Sequence, residues 1–242
     1  MDEKFIRSIK VDWNRISKSS YLRKIPSIHS INNLDFNSKI TFFVGENGTG
    51  KSTLLESIAL AYGFNPEGGS RNFNFSTKDT HSELYQAINI VRGTSKPKSE
   101  FFLRAESFYN VASKVDDYSE GDYTSYGGKS LHEQSHGESF LALIQNRFTA
   151  NGLYILDEPE AALSPQRQLT LLILLYNYAK KGSQFIIASH SPILLGMPES
   201  SILSFDDGKI REIKYEETES YKITELFINN KELLLNNLLD ND

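Results

Sequence analysis

The chain has 242 residues, no cysteine and a formal net charge of −5. That length suits one α/β domain with an appended lobe. The missing cysteines exclude disulfides and thiolate metal sites and fit a reducing cytosol, while the acidic balance argues against an overall basic nucleic-acid binder but leaves room for a local basic groove. No apolar run approaches the roughly 20 residues of a spanning helix, and Met1-Asp2-Glu3-Lys4 does not open like a signal peptide, so a membrane role would need a separate membrane partner.

Phe5 to Val11 reads as a first strand and Ser27 to Phe36 as a second by alternation. The apolar run Ile40 to Val44 is a buried strand that enters a glycine-rich turn. Ser52 to Tyr62 then carries Leu54, Leu55, Ile58, Ala59 and Tyr62 at the three-and-four spacing of a helix face. From 65 to 98 the chain is polar and turn-rich apart from a helix expected over Glu83 to Val91. Phe101 to Arg104 reads as a strand, Phe108 to Val115 as a helix start and Asp116 to Lys129 as an exposed loop. The expectation is one domain over 1–242, with a core of about 1–64 and 150–242 and an inserted lobe of about 65–149.

Beyond Ser135, the spacing of Phe140, Leu141, Leu143, Ile144 and Phe148 predicts a helix. Leu153 to Leu156 is a buried strand, Pro165 to Lys181 a helix and Gln184 to Ala188 another strand. This series implies a mostly parallel sheet with right-handed crossovers. Ile202 to Phe205 and Ile210 to Ile213 form a hairpin about Asp206-Asp207-Gly208, and Thr224 to Leu239 is a closing helix with a leucine-rich end. No repeat or heptad series interrupts the chain, so long coiled-coil arms are not expected.

Gly45-Glu46-Asn47-Gly48-Thr49-Gly50-Lys51-Ser52 matches the phosphate-binding P-loop in full, between a strand and a helix. Triphosphate oxygens need several backbone donors converging on one point, which only a loop free of intruding side chains supplies. Lys51 adds a point charge for the terminal phosphates. The Ser52 hydroxyl is a ligand for Mg²⁺, with Thr53 beside it. Asp157 and Glu158 end an apolar strand, where open α/β sheets bind ligands. They suit water-mediated Mg²⁺ binding and general-base work respectively; alone, such a pair is also an ordinary turn or helix cap. Ser135-His136-Gly137-Glu138 has the spacing of a capping box, and a helix start of that kind also aims free amides at an anion.

The order of P-loop, Ser135-His136-Gly137-Glu138, Asp157-Glu158-Pro159 and Ser189-His190-Ser191-Pro192 resembles an ABC-type P-loop ATPase over nearly the whole chain. The family signature usually reads Ser-Gly-Gly-Gln; Ser135 and Gly137 match it, while His136 and Glu138 depart. That departure, with the phrase Phe64 to Phe73, resembles a stand-alone bacterial group of predicted AAA-family ATPases, similar to chromosome-maintenance and DNA-repair heads rather than to transporter subunits.

The resemblance implies an ABC-ATPase-like sheet flanked by helices, with an N-terminal antiparallel β portion and a helical lobe. It implies ATP and Mg²⁺ as cofactors, an ATP-sandwiched homodimer in which Ser135 and Gly137 act in trans, and His190 as the histidine that contacts the γ-phosphate. Glu106 is the metal-ligand candidate by position, though Glu106 or Arg104 equally suits a surface ion pair. Arg71 and Asn72 are placed near the nucleotide by the family phrase alone, and Ser164 stands where the family often has Asp. The expected function is Mg-dependent ATP hydrolysis in the cytoplasm. Two alternatives stay open: an ATP-gated DNA- or protein-binding module with little turnover, and the nucleotide-binding subunit of a transporter, which the signature and Glu106 weigh against.

Overall fold

The computed structural model describes residues 4–66, 68–69, 82–104 and 136–239. Among the described residues, its main sheet has six strands: β3 (Ile40–Val44), β5 (Ser99–Arg104), β6 (Gly152–Asp157), β7 (Gln184–Ala188), β8 (Ser200–Ser204) and β9 (Arg211–Ile213). They lie in the order β5-β6-β7-β3-β8-β9, parallel except for the final antiparallel pair. Every residue of β3, β6 and β7 is buried, as continuous apolar strands covered on both faces require.

The two-residue side-chain period divides these strands between two cores. Phe42, Tyr154, Leu156, Phe185 and Ile187 face one core together with Phe140 and Ile144 of α4 (His136–Arg147) and Leu171 and Leu175 of α5 (Pro165–Lys180). Phe43, Leu153, Ile155 and Ile186 face the other, with Leu54, Leu55 and Ile58 of α2 (Lys51–Tyr62). That second core also takes Ile6, Ile9 and Ile88 from an antiparallel sheet of β1 (Ile6–Val11), β2 (Asn33–Asp35) and β4 (Ile88–Arg92), ordered β2-β1-β4. Buried Gln184 joins the two sheets: its side-chain oxygen accepts from the Phe5 and Ile6 amides at 2.8 and 2.9 Å, and its nitrogen donates to Ile6 O at 2.8 Å. The result is the mostly parallel, helix-flanked sheet with an antiparallel N-terminal portion that the motifs implied.

Three expected elements differ. Ser27 to Phe36 is not one strand: Pro26 opens a short helix α1 (Pro26–His29), and only Asn33–Asp35 pairs as β2. Proline at the first helical position is pre-set for that conformation, and Ile28 and Ile31 are buried at helical rather than alternating spacing. Glu83 to Val91 is helical only over α3 (Leu84–Ala87), because β-branched Ile88, Ile90 and Val91 continue as β4 against β1. The closing helix begins earlier and breaks once. Thr218 caps α6 (Glu219–Asn229) through the Tyr221 amide, non-helical Asn230 ends it, and α7 (Lys231–Leu239) follows, with Leu233, Leu238 and Leu239 exposed. The expectations for Phe108 to Val115 and Asp116 to Lys129 fall outside the described residues.

Candidate functional site

Strand register determines where the motifs meet. Arg104 of β5 lies opposite Asp157 of β6, Asp157 opposite Ala188 of β7, Ala188 opposite Phe43 of β3, and Phe43 opposite Leu203 of β8. The residues that follow, Glu158, Ser189-His190, Gly45 and Phe205-Asp206, therefore leave the sheet along one carboxyl edge. The order of strands reverses at β3, which makes this edge a topological switch point and the expected ligand crevice.

The P-loop is held from both sides. Asp206 Oδ1 accepts from the Glu46 amide at 3.0 Å, and the Ser27 hydroxyl donates to Thr49 O from beneath. Gly50 has φ +96°, and a Cβ there would meet Ile28 Cγ1 at 2.6 Å, so both backbone angle and space demand glycine. Gly45 lies against Asp206 in the same way, a Cβ meeting Oδ1 at 3.0 Å. Gly48 completes the turn, Asn47 lines the crevice, and Thr53 follows in the first turn of α2.

Lys51 is only 5% exposed, and its ammonium donates to Gly45 O and Glu46 O at 2.7 and 2.8 Å. Those two carbonyl oxygens are the hydrogen-bond partners that hold the ammonium inside the loop. Burial pushes the ammonium below its ordinary value, against the pull of Glu158, Asp206 and Asp157. The Ser52 hydroxyl donates to Asp157 Oδ1 at 3.0 Å. A hydroxyl and a buried carboxylate are hard oxygen donors, and so small a protein set suits Mg²⁺, which keeps several waters and takes the rest of its shell from phosphates. Among the described residues, no cluster of three or more histidines and acids offers a self-sufficient metal cage. Arg104 Nη1 bonds Glu56 Oε2 at 3.0 Å and its Nε lies 3.7 Å from Asp157 Oδ2, fixing the far side of that carboxylate.

Glu158 adopts φ +50°, rare for a residue with a side chain, and its amide donates to Ala188 O at 2.9 Å. The turn swings its carboxylate out of the sheet, to 4.0 Å from His190 Nε2. Glu158 and His190, with Glu46 and Asn47, line a crevice of about 550 Å³. A larger cavity of about 1010 Å³ adjoins it, sharing Glu46, Asn47 and His190 and reaching Lys24, Asp206, Arg211, Thr218 and Lys222.

The signature segment is described from His136 onward. Gly137 is buried where a Cβ would meet Ala162 O and Arg167 Nη1, both at 2.8 Å, and Glu138 bonds Arg167 Nη2 at 2.8 Å. Packing inside the chain therefore already accounts for a glycine at 137. Ser135, Glu106, Arg71 and Asn72 lie outside the described residues.

One residue at this edge escaped the motifs. Glu160 Oε1 accepts from the Ser189 hydroxyl at 2.8 Å, the His190 amide at 2.6 Å and the Ser191 amide at 3.1 Å. Its second oxygen, Oε2, is enclosed and has no hydrogen-bond partner among the described residues. Burial raises the Glu160 carboxyl above its ordinary value, the donors from His190 and Ser189 acting in the opposite direction. Only the proximity of Glu160 to Asp157-Glu158 hinted at this, since its partners are 29 to 31 positions away.

A family model described as an AAA domain matches residues 21–240. A xylose import ATP-binding protein of Moorella thermoacetica is 25% identical over 231 residues, covering 85% of this chain but 45% of that relative. Among solved structures, cbiO1 from Clostridium perfringens, part of an ABC transporter complex, is 16% identical with a TM-score of 0.49, over 95% of this chain and 98% of that one. An SMC head domain from Thermotoga maritima is 14% identical with a TM-score of 0.46, over 87% and 99%. A match over residues 21–240 of 242, on a chain whose P-loop and acid pair meet at one sheet edge, places this protein in the AAA domain family.

Proposed function

We propose that the protein binds ATP with Mg²⁺ and hydrolyses its β–γ phosphoanhydride, two copies closing around the nucleotide. The observation that carries this reading is the gathering of Lys51, the Ser52–Asp157 pair and the Glu158–His190 pair at one strand edge. The amides of Gly45 to Ser52 cradle the phosphates, and Lys51 exchanges its two carbonyl partners for phosphate oxygens. Ser52 and Asp157 would hold Mg²⁺, Asp157 through water, with Glu106 as a further ligand, and the bound ion would neutralise charge developing on the β- and γ-phosphates. Glu158 takes the proton of the attacking water, and His190 contacts the γ-phosphate. Ser135 and Gly137 of one copy cover the phosphate held by the other.

The chain acts as one ATPase domain, with the segment of about 65–149 as its lobe; β4 and β5, inside that segment, root it in the two sheets. No helix among the described residues is long and apolar enough to cross a membrane, and the reading places the protein in the cytoplasm, where ATP is supplied.

Phosphate release by the purified chain with MgATP tests the reading, beside sedimentation of the Glu158→Gln variant with and without ATP. The expectation is steady turnover by the wild type, a loss of about 10²–10⁴-fold in the variant as for removal of a general base, and ATP-dependent dimers of that variant. A wild type that binds MgATP but releases no phosphate sinks the hydrolase reading. A variant that stays monomeric in ATP sinks the composite site.

A further inference from the structure

From the contacts of Glu160, we infer that it is a positioning residue, tying the loop that bears His190 to the loop that bears Glu158, so that imidazole and carboxylate are held facing one another before nucleotide arrives. The inference rests on the hydrolase reading above and adds to it a residue that no motif supplies.

Three observations support it. The loop after β7 already has local caps: the Ser191 amide donates to Ser189 Oγ at 3.1 Å and the Leu194 amide to Ser191 Oγ at 3.1 Å. Turn formation alone therefore does not call for an acid from another element. Enclosing a carboxylate is costly unless its oxygens are satisfied, yet here one oxygen collects all three donors and the other has none among the described residues. A carboxylate kept on those terms points to a task other than stability. Two of its three donors are main-chain amides, His190 and Ser191, so the tie fixes the backbone from which the imidazole projects.

A second, parallel link runs through α5. Ser191 Oγ donates to Gln168 Oε1 at 2.6 Å, and Gln168 Nε2 donates to Leu163 O at 3.0 Å. The segment from Glu160 to Gln168 thus grips the His190 loop at two points. With the Glu158 amide bonded to Ala188 O, both ends of the 4.0 Å separation between His190 Nε2 and Glu158 Oε1 are anchored. Neither side chain makes the other's contact; each is aimed by its backbone.

The test uses the full chain with Glu160→Ala, Glu160→Gln and the milder Glu160→Asp, which keeps the charge but withdraws the oxygen. Gln retains an oxygen acceptor for the three donors and should keep most of the turnover. Ala should lower kcat by about tenfold or more with KM for MgATP little changed, the signature of a contact that matters in the transition state. Asp should fall between them, and it carries the test if the Ala variant does not fold. In the His190→Ala background, the Glu160→Ala loss should shrink to near nothing, because residues acting as a unit are not additive.

Amide hydrogen exchange reads the tie without any turnover: the His190 and Ser191 amides should exchange at least about tenfold faster in Glu160→Ala than in wild type. Unchanged exchange, or losses from Glu160 and His190 that multiply, would overturn the inference. A wild type without turnover, its exchange still accelerated by the substitution, would remove the hydrolase reading and the catalytic purpose of the tie together. Normal wild-type turnover with kcat unmoved in Glu160→Ala removes the positioning role alone.

Discussion

Two loops leave the same sheet edge and are built on opposite plans. The P-loop between β3 and α2 closes largely on itself, with Asp206 and Ser27 bracing it from outside: Thr49 donates to Glu46 O, and Lys51 reaches back five and six positions to Glu46 and Gly45. Its glycines clear the space. The loop after β7 has serines instead, and its backbone hangs on Glu160, about thirty positions earlier in the chain. A loop that stores its shape locally can be shaped by a short motif, whereas one that borrows its shape needs the sheet to bring its anchor alongside.

Removing the cation at the centre of the first loop should have the largest effect. Lys51→Ala should weaken MgATP binding by about 100-fold or more, since a buried charge-assisted contact to phosphate has no replacement. Titration calorimetry measures it. Binding within a few-fold of wild type would mean that the local loop does not need its lysine to grip phosphate, and the contrast between the loops would lose its functional meaning.

Gly50→Ala probes the same loop through packing. The added methyl meets Ile28 Cγ1 at 2.6 Å in a left-handed backbone, so a loss of about 1–3 kcal/mol is expected from overpacking and strain. A denaturant midpoint with unchanged slope checks it. Ser189→Ala probes the borrowed loop more gently: Glu160 loses one of three donors and the Ser191 amide loses its local acceptor, worth about 1 kcal/mol. Hydrogen exchange at His190 should rise modestly, less than on removing Glu160 itself. If Ser189→Ala cost more than Gly50→Ala, the loop of long-range design would be the more tightly specified of the two.

The same contrast explains how much was legible in the residues alone. Ile40–Val44, Gly152–Asp157 and Gln184–Ala188 read as strands because unbroken apolar runs flanked by turn residues leave few alternatives, and the P-loop reads from its glycines. Ser27 to Phe36 reads as one strand by loose alternation, whereas proline at the first helical position and the i, i+3 spacing of buried Ile28 and Ile31 make Pro26–His29 a helix. Leu84–Ala87 passing directly into Ile88–Arg92 was hidden for a different reason: β4 exists only because β1 lies beside it, a pairing of residues some eighty positions apart. Glu160 belongs with β4, being one acid among three in Asp157-Glu158-Pro159-Glu160 with nothing local to mark it.

The smallest expected effect is the pH dependence of that residue's contribution to stability. Its carboxyl is raised above 4.5, the ordinary value, chiefly by burial, so the folded state holds the proton more tightly than the unfolded one. Linkage then fixes the sign: the contribution of Glu160 is fully present below the unfolded value and is lost as pH rises through the raised folded value. Above the raised folded value the wild type bears the cost of an enclosed charge, and Glu160→Gln, a neutral side chain of the same shape, does not. The variant should therefore melt a few degrees higher than wild type at the upper end of the pH range, a shift on the scale of about 1 kcal/mol in a chain of this size. The gap should narrow as pH falls through the raised folded value, where the native carboxyl takes up its proton, and then level off. Melting curves of both proteins from pH 4 to 8 supply the comparison. A gap that widens on acidification would mean that the three donors stabilise the charge more than enclosure penalises it, making the borrowed loop an electrostatic strut rather than a strained tie.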